Sequence, residues 1–384
     1  MRFKFLLLST GLALSSWTAA AQTRGVAGLW RRLSGPNPKL DSTCIFQPYK
    51  GWAVGLGYEL ADHRVDINTL EEVYSDPVHA VFDYRMKMDP RVAHSLGASV
   101  AFGPLQLGLM REIGPGAGRK KAFSFRWDAN FFALNVHYAK YFASPAGTMF
   151  IDILAPEDQA ARGEGIPVNT DSVAETKSLL VSGIYAFNRH RFSYRAAYNS
   201  RSVQRRSAGS WIVAAKYSYG RTVMNPDDIA LMTLTNGLGR YTTHQTSLGA
   251  GYSFNWVPYH RDAAGPKDLR GLRNLTVNLT AAPMVTFYNK VITEVYVRES
   301  LLKYKNEIDH RFVNIGHISP NFTARVGICY SFGHFFVNAW GEYTNFAFRT
   351  DQREYTYESG NRYIMSQSGV YSAWSVHFQL NYRF

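Results

Sequence analysis

From residue 51 onward the chain alternates apolar and polar positions with a period of two, the repeat of a β-strand whose two faces meet different surroundings. The last stretch shows it most plainly. Trp374, Val376, Phe378, Leu380, Tyr382 and Phe384 alternate with Ser375, His377, Gln379, Asn381 and Arg383. Trp52, Val54, Leu56, Tyr58 and Leu60 form another such face, as do Val78, Ala80, Phe82, Tyr84 and Met86, with Leu96 to Phe102 in the same phase. Trp211 to Tyr219 and Leu248 to Trp256 repeat the pattern. A soluble sandwich alternates too, but its apolar faces meet in a core. Here the apolar faces are unusually aromatic and the polar faces are full of Gly, Ser and Asn, which suits lipid outside and a wet lumen inside.

Pairing register must carry apolar onto apolar, so each hairpin is a separate test. A turn at Gly103-Pro104 sets Phe102 on Leu105, Val100 on Leu107 and Ala98 on Leu109. A turn at Ala129-Asn130 sets Trp127 on Phe132, Phe125 on Leu134 and Phe123 on Val136. A four-residue turn from Asn188 to Arg191 sets Phe187 on Phe192, Tyr185 on Tyr194 and Val181 on Tyr198. Gly333-His334 sets Phe332 on Phe335, Tyr330 on Val337 and Ile328 on Ala339, and places Arg325 opposite Glu342. Four hairpins agree on one antiparallel sheet.

These strands predict an all-β, antiparallel transmembrane barrel. Single-chain barrels have even strand numbers, short periplasmic turns and long outer loops. Counting from both ends agrees at fourteen strands if Ile229 to Thr235 is a strand and 78–102 is one long strand; the alternative is twelve. Eight strands fill with side chains and sixteen leave a channel, so this lumen needs water, a plug or folded-in loops. Residues 22–50 and the 144–176 loop are the plug candidates.

The first 21 residues read as a secretory signal. Arg2 and Lys4 begin it, Phe5 to Leu14 is its apolar run, and Ala19-Ala20-Ala21 precedes the cleavage point. Residues 22–50, broken by Gly35-Pro36-Asn37-Pro38, form a periplasmic segment or lumen plug, and 51–384 form the barrel. The expected address is the outer membrane of a Gram-negative bacterium.

Composition narrows the classes further. No run after the N-terminus is long and apolar enough for a membrane helix, and 24 Tyr, 24 Phe and 8 Trp argue against disorder. The formal net charge is +13, which in an exported chain points to an anionic membrane surface or a cationic lumen, not to nucleic acid. Arg119-Lys120-Lys121 and Arg205-Arg206 read as solvated turns. The expected partners are outer-membrane lipid and lipopolysaccharide, with the barrel-insertion machinery engaging the C-terminal strand through Tyr382 and Phe384.

At Arg191-Phe-Ser-Tyr-Arg-Ala-Ala-Tyr198, followed by Gln204-Arg-Arg-Ser-Ala-Gly-Ser210, the chain resembles domain-of-unknown-function family 4421, outer-membrane barrels of Gram-negative bacteria. Asp41-Ser-Thr-Cys-Ile45 is similar to the opening before that family's first strand. Cys44 stands where an aromatic is usual, and the 258–271 connection is longer. The resemblance implies a barrel and an outer-membrane address. It implies no activity.

Candidate chemistry is sparse. Ser375 and His377 share a face of the last strand, the spacing of a nucleophile and its base; their phase puts them in the lumen, and no acid is assignable beside them, so the balance is against an enzyme. His310 with Glu307 and Asp309, and His260 with Asp262, sit in loops as solvated charges; no metal is expected. Gly residues fall in strands and turns, so no nucleotide or other cofactor is expected. Cys44 and Cys329 are either two isolated thiols or a disulfide tying the N-terminal segment to the wall. Asp83, Arg85, Arg126, Asp128, Arg195, Lys216, Arg325, Glu342 and Arg383 all fall on polar faces, and such lumen charges set ion preference or close a pore.

Three functions follow: passage of small solutes or lipidic molecules through a basic lumen, surface interaction through outer loops rich in Tyr355, Tyr357, Arg362 and Tyr363, or hydrolysis of lipid or lipopolysaccharide.

Overall fold

Twelve strands close into a ring. In the computed structural model, which describes residues 40–48, 52–75, 78–88, 92–114, 120–128, 131–142, 147–154, 166–168, 173–199, 202–234, 237–300, 303–356 and 362–384, they are β1 (Trp52–Ser75), β2 (Ala93–Phe102), β3 (Leu105–Glu112), β4 (Lys120–Asp128), β5 (Phe132–Phe142), β6 (Val173–Ala186), β7 (Ala208–Met224), β8 (Leu238–Arg261), β9 (Arg273–Ser300), β10 (Ser319–Phe332), β11 (Phe335–Arg349) and β12 (Arg362–Arg383). Each pairs antiparallel with the next, and β12 pairs with β1 to shut the ring. The signal segment, residues 22–39 and Tyr357 lie outside the described residues.

The ring inverts the burial of a soluble protein. Trp211 (69 % exposed), Leu56 (68 %) and Leu109 (67 %) stand outside, whereas Thr276 and Asn278 are fully buried within. Aromatic and β-branched side chains favour the pleated wall, and their outward band matches hydrocarbon rather than a protein core. Gly103 (φ 55°) and Gly333 (φ 59°) supply the left-handed backbone of two-residue hairpin turns.

Twelve, the smaller of the two expected counts, closes because two expected strands, 229–235 and the one after Asn188–Arg191, are not in the ring. Ile229–Leu234 is a helix, α1, not a strand. Short apolar runs are ambiguous between the two, and here the Asp228 carboxylate accepts from the Leu231 backbone N–H at 3.0 Å, an N-cap that settles the matter. Leu231 and Met232 then pack on Met224, Tyr241, Val291, Tyr296 and Phe348 at the long-loop end. The stretch 78–102 is divided. Val78–Met88 pairs with the far half of β1, beyond the ring, and only β2 enters it. Lys303–Ile315 and Arg353–Thr356 extend β9 and β12 in the same way. Gly147–Leu154, from the loop expected to form a plug, pairs with Val78–Met88 in this outer layer.

The hairpin at Gly103-Pro104 and the one at Gly333-His334 have the expected partners, including Arg325 opposite Glu342. At the β4–β5 turn the faces are right but the register is shifted by two: Trp127 pairs with Leu134, Phe125 with Val136 and Phe123 with Tyr138. Asp128 ends its strand there, its backbone N–H donating to the Pro104 carbonyl at 2.8 Å.

The expected hairpin at Asn188–Arg191 does not form. Tyr185 pairs with Val213 and Ile184 with Ala214, so β6 meets β7 directly and residues 187–207 are left over. They fold inward. Phe192, Tyr194 and Tyr198 alternate like strand residues, yet Tyr194–Ala197 is one 3-10 turn and all three aromatics are buried at 2 % exposure or less.

Candidate functional site

The inward segment packs against the inner wall near the short-turn end and is called the plug below. Its side chains pack on Ala133, Ile184, Ile212, Ala282, Met284 and Trp340, residues drawn from five wall strands. Asn199 donates to the Asp128 carboxylate at 2.8 Å on β4, and Arg195 donates to the Asp128 carbonyl at 3.1 Å. Across the ring, the Tyr198 hydroxyl donates to Asn278 at 2.6 Å on β9, and Asn338 of β11 donates to the Tyr198 carbonyl. Asn255 of β8 donates to the Ser193 carbonyl at 2.8 Å. Side-chain amides thus tie the plug to opposite walls, and the Arg-Phe-Ser-Tyr-Arg-Ala-Ala stretch is its centre.

Residues 41–48 hold the plug from below. Ile45–Phe46 pair with Val203–Gln204. Arg205 donates to the Ser42 carbonyl at 2.6 Å and pairs with Asp262 at 2.7 Å, so it is a clip and not a solvated turn residue. Asp41 is held below the usual carboxylate range by hydrogen bonds from the Thr43 hydroxyl and backbone N–H. Cys44 and Cys329 are both buried, with no disulfide between them.

Gln204 is the knot of this clip. Its carbonyl oxygen accepts from the Ser193 N–H at 3.0 Å and from Asn255 at 3.1 Å, and its amide donates to the Arg191 and Arg206 carbonyls at 2.6 and 3.0 Å. Replacing it with alanine strands several buried polar groups, each worth about 1–3 kcal/mol. Gln204→Ala is therefore expected to leave the ring folded and to speed protease cleavage within 187–207 by at least about tenfold; an unchanged cleavage rate would contradict this assignment.

Farther from the short-turn end, inward charges gather around a chamber of about 140 Å3 lined by Glu59, Arg126, Asn135, Arg325, Ser375 and His377, among others. The Glu342 carboxylate bridges Lys216 at 3.3 Å and Arg325 at 3.9 Å. Lys216 also donates to Thr323 and Thr344 at 2.7 and 2.8 Å. Arg325 lies 4.0 Å over the Tyr198 ring and donates to the Tyr194 hydroxyl at 3.2 Å, joining chamber to plug. Arg126 lies 4.3 Å over Trp340, and its Nη1 is buried with no hydrogen bond among the described residues.

A second row crosses the same chamber. Trp340, His377 and Glu59 are register partners on β11, β12 and β1. The Trp340 and His377 rings stack at 4.6 Å and 9°. His377 Nε2 is 3.1 Å from the Ser375 hydroxyl, and its Nδ1 is 3.6 Å from the Glu59 carboxylate.

Of the charges placed on polar faces by sequence, Arg126, Lys216, Arg325 and Glu342 converge here. Asp128 and Arg195 belong to the plug contacts, with Arg195 on the 3-10 turn and not on a wall strand. Arg383 is buried near the short-turn end, 4.9 Å over Phe336. Asp83 and Arg85 lie on Val78–Met88 beyond the ring, where Arg85 pairs with Asp66 at 3.3 Å. At the C-terminus, Tyr382 packs on Phe335 at 4.8 Å, and the Phe384 N–H donates to the Trp52 carbonyl at 2.9 Å.

Glu59 and Trp340 have no motif to announce them. The signal that exists is local contrast: Ala53, Gly55, Gly57, Glu59 and Ala61 share the inner phase of β1, and only one of them carries charge.

Among solved structures, the chain is similar to the outer membrane protease OmpT from Escherichia coli (9 % identity, TM-score 0.41, covering 88 % of this chain and 98 % of that one). It is also similar to the translocator domain of the autotransporter NalP from Neisseria meningitidis (9 %, 0.29, 97 % and 98 %) and to the Pseudomonas putida toluene transporter TodX (7 %, 0.22, 87 % and 90 %). No curated protein matches the chain. Residues 67–367 match the family model described as domain of unknown function (DUF4421), a span that takes in ten complete ring strands and the plug. The chain belongs to that family.

Proposed function

We propose that this is a gated outer-membrane barrel: closed at rest by the buried residues 192–199 and 202–204, and passing small anionic solutes when they give way. The observation that carries the reading is the buried Nη1 of Arg126, which has no hydrogen bond among the described residues and lines a chamber shared with Arg325. A buried donor without a partner costs free energy that an entering anion would recover, and cationic lining favours anions in a pore. The plug suits a gate, because side-chain amides hold much of it and its β-ladder with residues 45–46, the one among the described residues, is two residues long. In this reading the wall faces outer-membrane lipid and lipopolysaccharide, and the C-terminal strand ending in Tyr382 and Phe384 engages the insertion machinery after export.

The test is conductance in a planar bilayer. The mature protein is expected to be silent. A variant with 192–204 replaced by a short Gly-Ser turn is expected to show discrete steps that favour chloride over potassium in asymmetric salt, and Arg126→Gln in that background to weaken the preference. A folded replacement variant that stays silent, or that favours potassium, overturns the reading.

A further inference from the structure

We infer that Ser375, His377 and Glu59 form a serine esterase site inside the lumen, acting on small water-soluble carboxylic esters. This goes beyond passage and does not depend on it, since the chamber lies on the long-loop side of the plug.

The three side chains have the order that nucleophilic catalysis by serine requires. His377 presents Nε2 to the Ser375 hydroxyl at 3.1 Å and Nδ1 to Glu59 at 3.6 Å. The tautomer that carries its proton on Nδ1, the nitrogen nearer Glu59, leaves Nε2 as the acceptor. The imidazole is fixed on two sides: the Trp340 ring stacks on its face, and Glu59, 3 % exposed, stands at its edge. Register locks the arrangement, because all three strands run through the row without a bulge. A polar lumen lining needs none of this order; a serine and a glutamate on opposite nitrogens of one stacked histidine is a specific arrangement.

The chemistry balances with water as the only co-reactant. Ser375 Oγ attacks the ester carbonyl carbon as its proton passes to His377 Nε2, and the C–O bond to the alcohol breaks as that proton is delivered to the leaving oxygen. The acyl group is then on Ser375. Water attacks the acyl carbon, its proton goes to His377, and the Oγ–C bond breaks as His377 returns the proton to Oγ. An acid and an alcohol leave. The Arg126 Nη1, buried without a hydrogen bond in the same chamber, is the donor available to a developing oxyanion. The wall strands at the row are paired on both sides, so a side chain is the donor to look for. Ser375 faces away from the lipid side, where Phe378 and Leu380 are 46 % and 50 % exposed. Acyl chains of the surrounding membrane therefore do not reach it, which selects soluble esters of short acids.

Glu59 and Trp340 are positioning residues. Their loss lowers turnover with little change in KM, because they orient the base without touching the ester.

The experiment is covalent labelling of the detergent-folded protein by a fluorophosphonate, in which the Oγ–P bond forms and fluoride leaves. The labelled peptide is identified by mass, and p-nitrophenyl butyrate hydrolysis is measured in parallel. One phosphonyl group is expected on Ser375, absent in Ser375→Ala. Labelling is expected to slow by about 100-fold or more in His377→Asn, the usual worth of a general base. Glu59→Gln is expected to reduce kcat for p-nitrophenyl butyrate by about tenfold or more at nearly constant KM. Heat-modifiable gel mobility establishes that each variant is folded. A folded wild type that takes no label, a label on another serine, or a rate indifferent to His377→Asn overturns the proposal.

Discussion

Replacing Gly327 by leucine is expected to push Tyr198 out of the lumen and turn a silent barrel into a conducting one. Gly327 lies on the inner face of β10, and a Cβ built there would sit 2.5 Å from Tyr198 Cε1, with Cδ1 and Cζ at 3.0 and 3.1 Å. The ring cannot step aside, being 2 % exposed, covered by Arg325 at 4.0 Å and tied through its hydroxyl to Asn278 at 2.6 Å. The wall loses little, since Gly327 holds an ordinary strand position, paired with Trp340 and Asn278. Overpacking costs about 1–3 kcal/mol, and here it is borne by the plug, together with the hydrogen bonds that Tyr198 surrenders. We expect discrete current steps, faster proteolysis within 187–207 and unchanged heat-modifiable mobility. A wedge variant that stays silent, with the segment still protected, would show that Tyr198 is not what closes the lumen.

Glu342→Gln is expected to be the most destabilising single change within the chamber, by about 3–5 kcal/mol, the range for removing one partner of a buried ion pair. The carboxylate stands between Lys216, 4 % exposed, and Arg325, 7 % exposed. Without it both cations remain, close to Arg126, with no anion between them. Lys216→Met should cost far less, because Glu342 keeps Arg325. Adding Lys216→Met to Glu342→Gln should recover part of the loss, so the two changes couple instead of adding. Urea unfolding midpoints of the three variants in detergent decide it. A Glu342→Gln barrel as stable as the parent would mean that water fills the chamber and screens these charges.

Alternation made the wall legible because a strand between lipid and lumen leaves no choice of face. The hairpins at Gly103 and Gly333 followed from the register that sets apolar residues on apolar ones across each turn. The same reading failed at Phe192, Tyr194 and Tyr198, where period two was present but the surroundings were different. An aromatic facing lipid and one buried under a ring of amides look alike in a sequence. The plug is legible only through Gln204, Asn199 and Arg195, polar residues too many for a lipid-facing strand, and their partners lie on strands far along the chain. The Ser375–His377 pair was visible within one strand. Its acid was not, because Glu59 reaches it only through the pairing of the first strand with the last.

That pairing has a consequence for biogenesis. The β1–β12 contact has the largest sequence separation in the ring, and such contacts form late because loop-closure entropy precedes any gain. The row of Trp340, His377 and Glu59 straddles this seam. A half-assembled sheet would therefore carry the serine and its base without the carboxylate. The row is complete only when the first and last ring strands have paired, so labelling of Ser375 that depends on Glu59 would report closure of the ring.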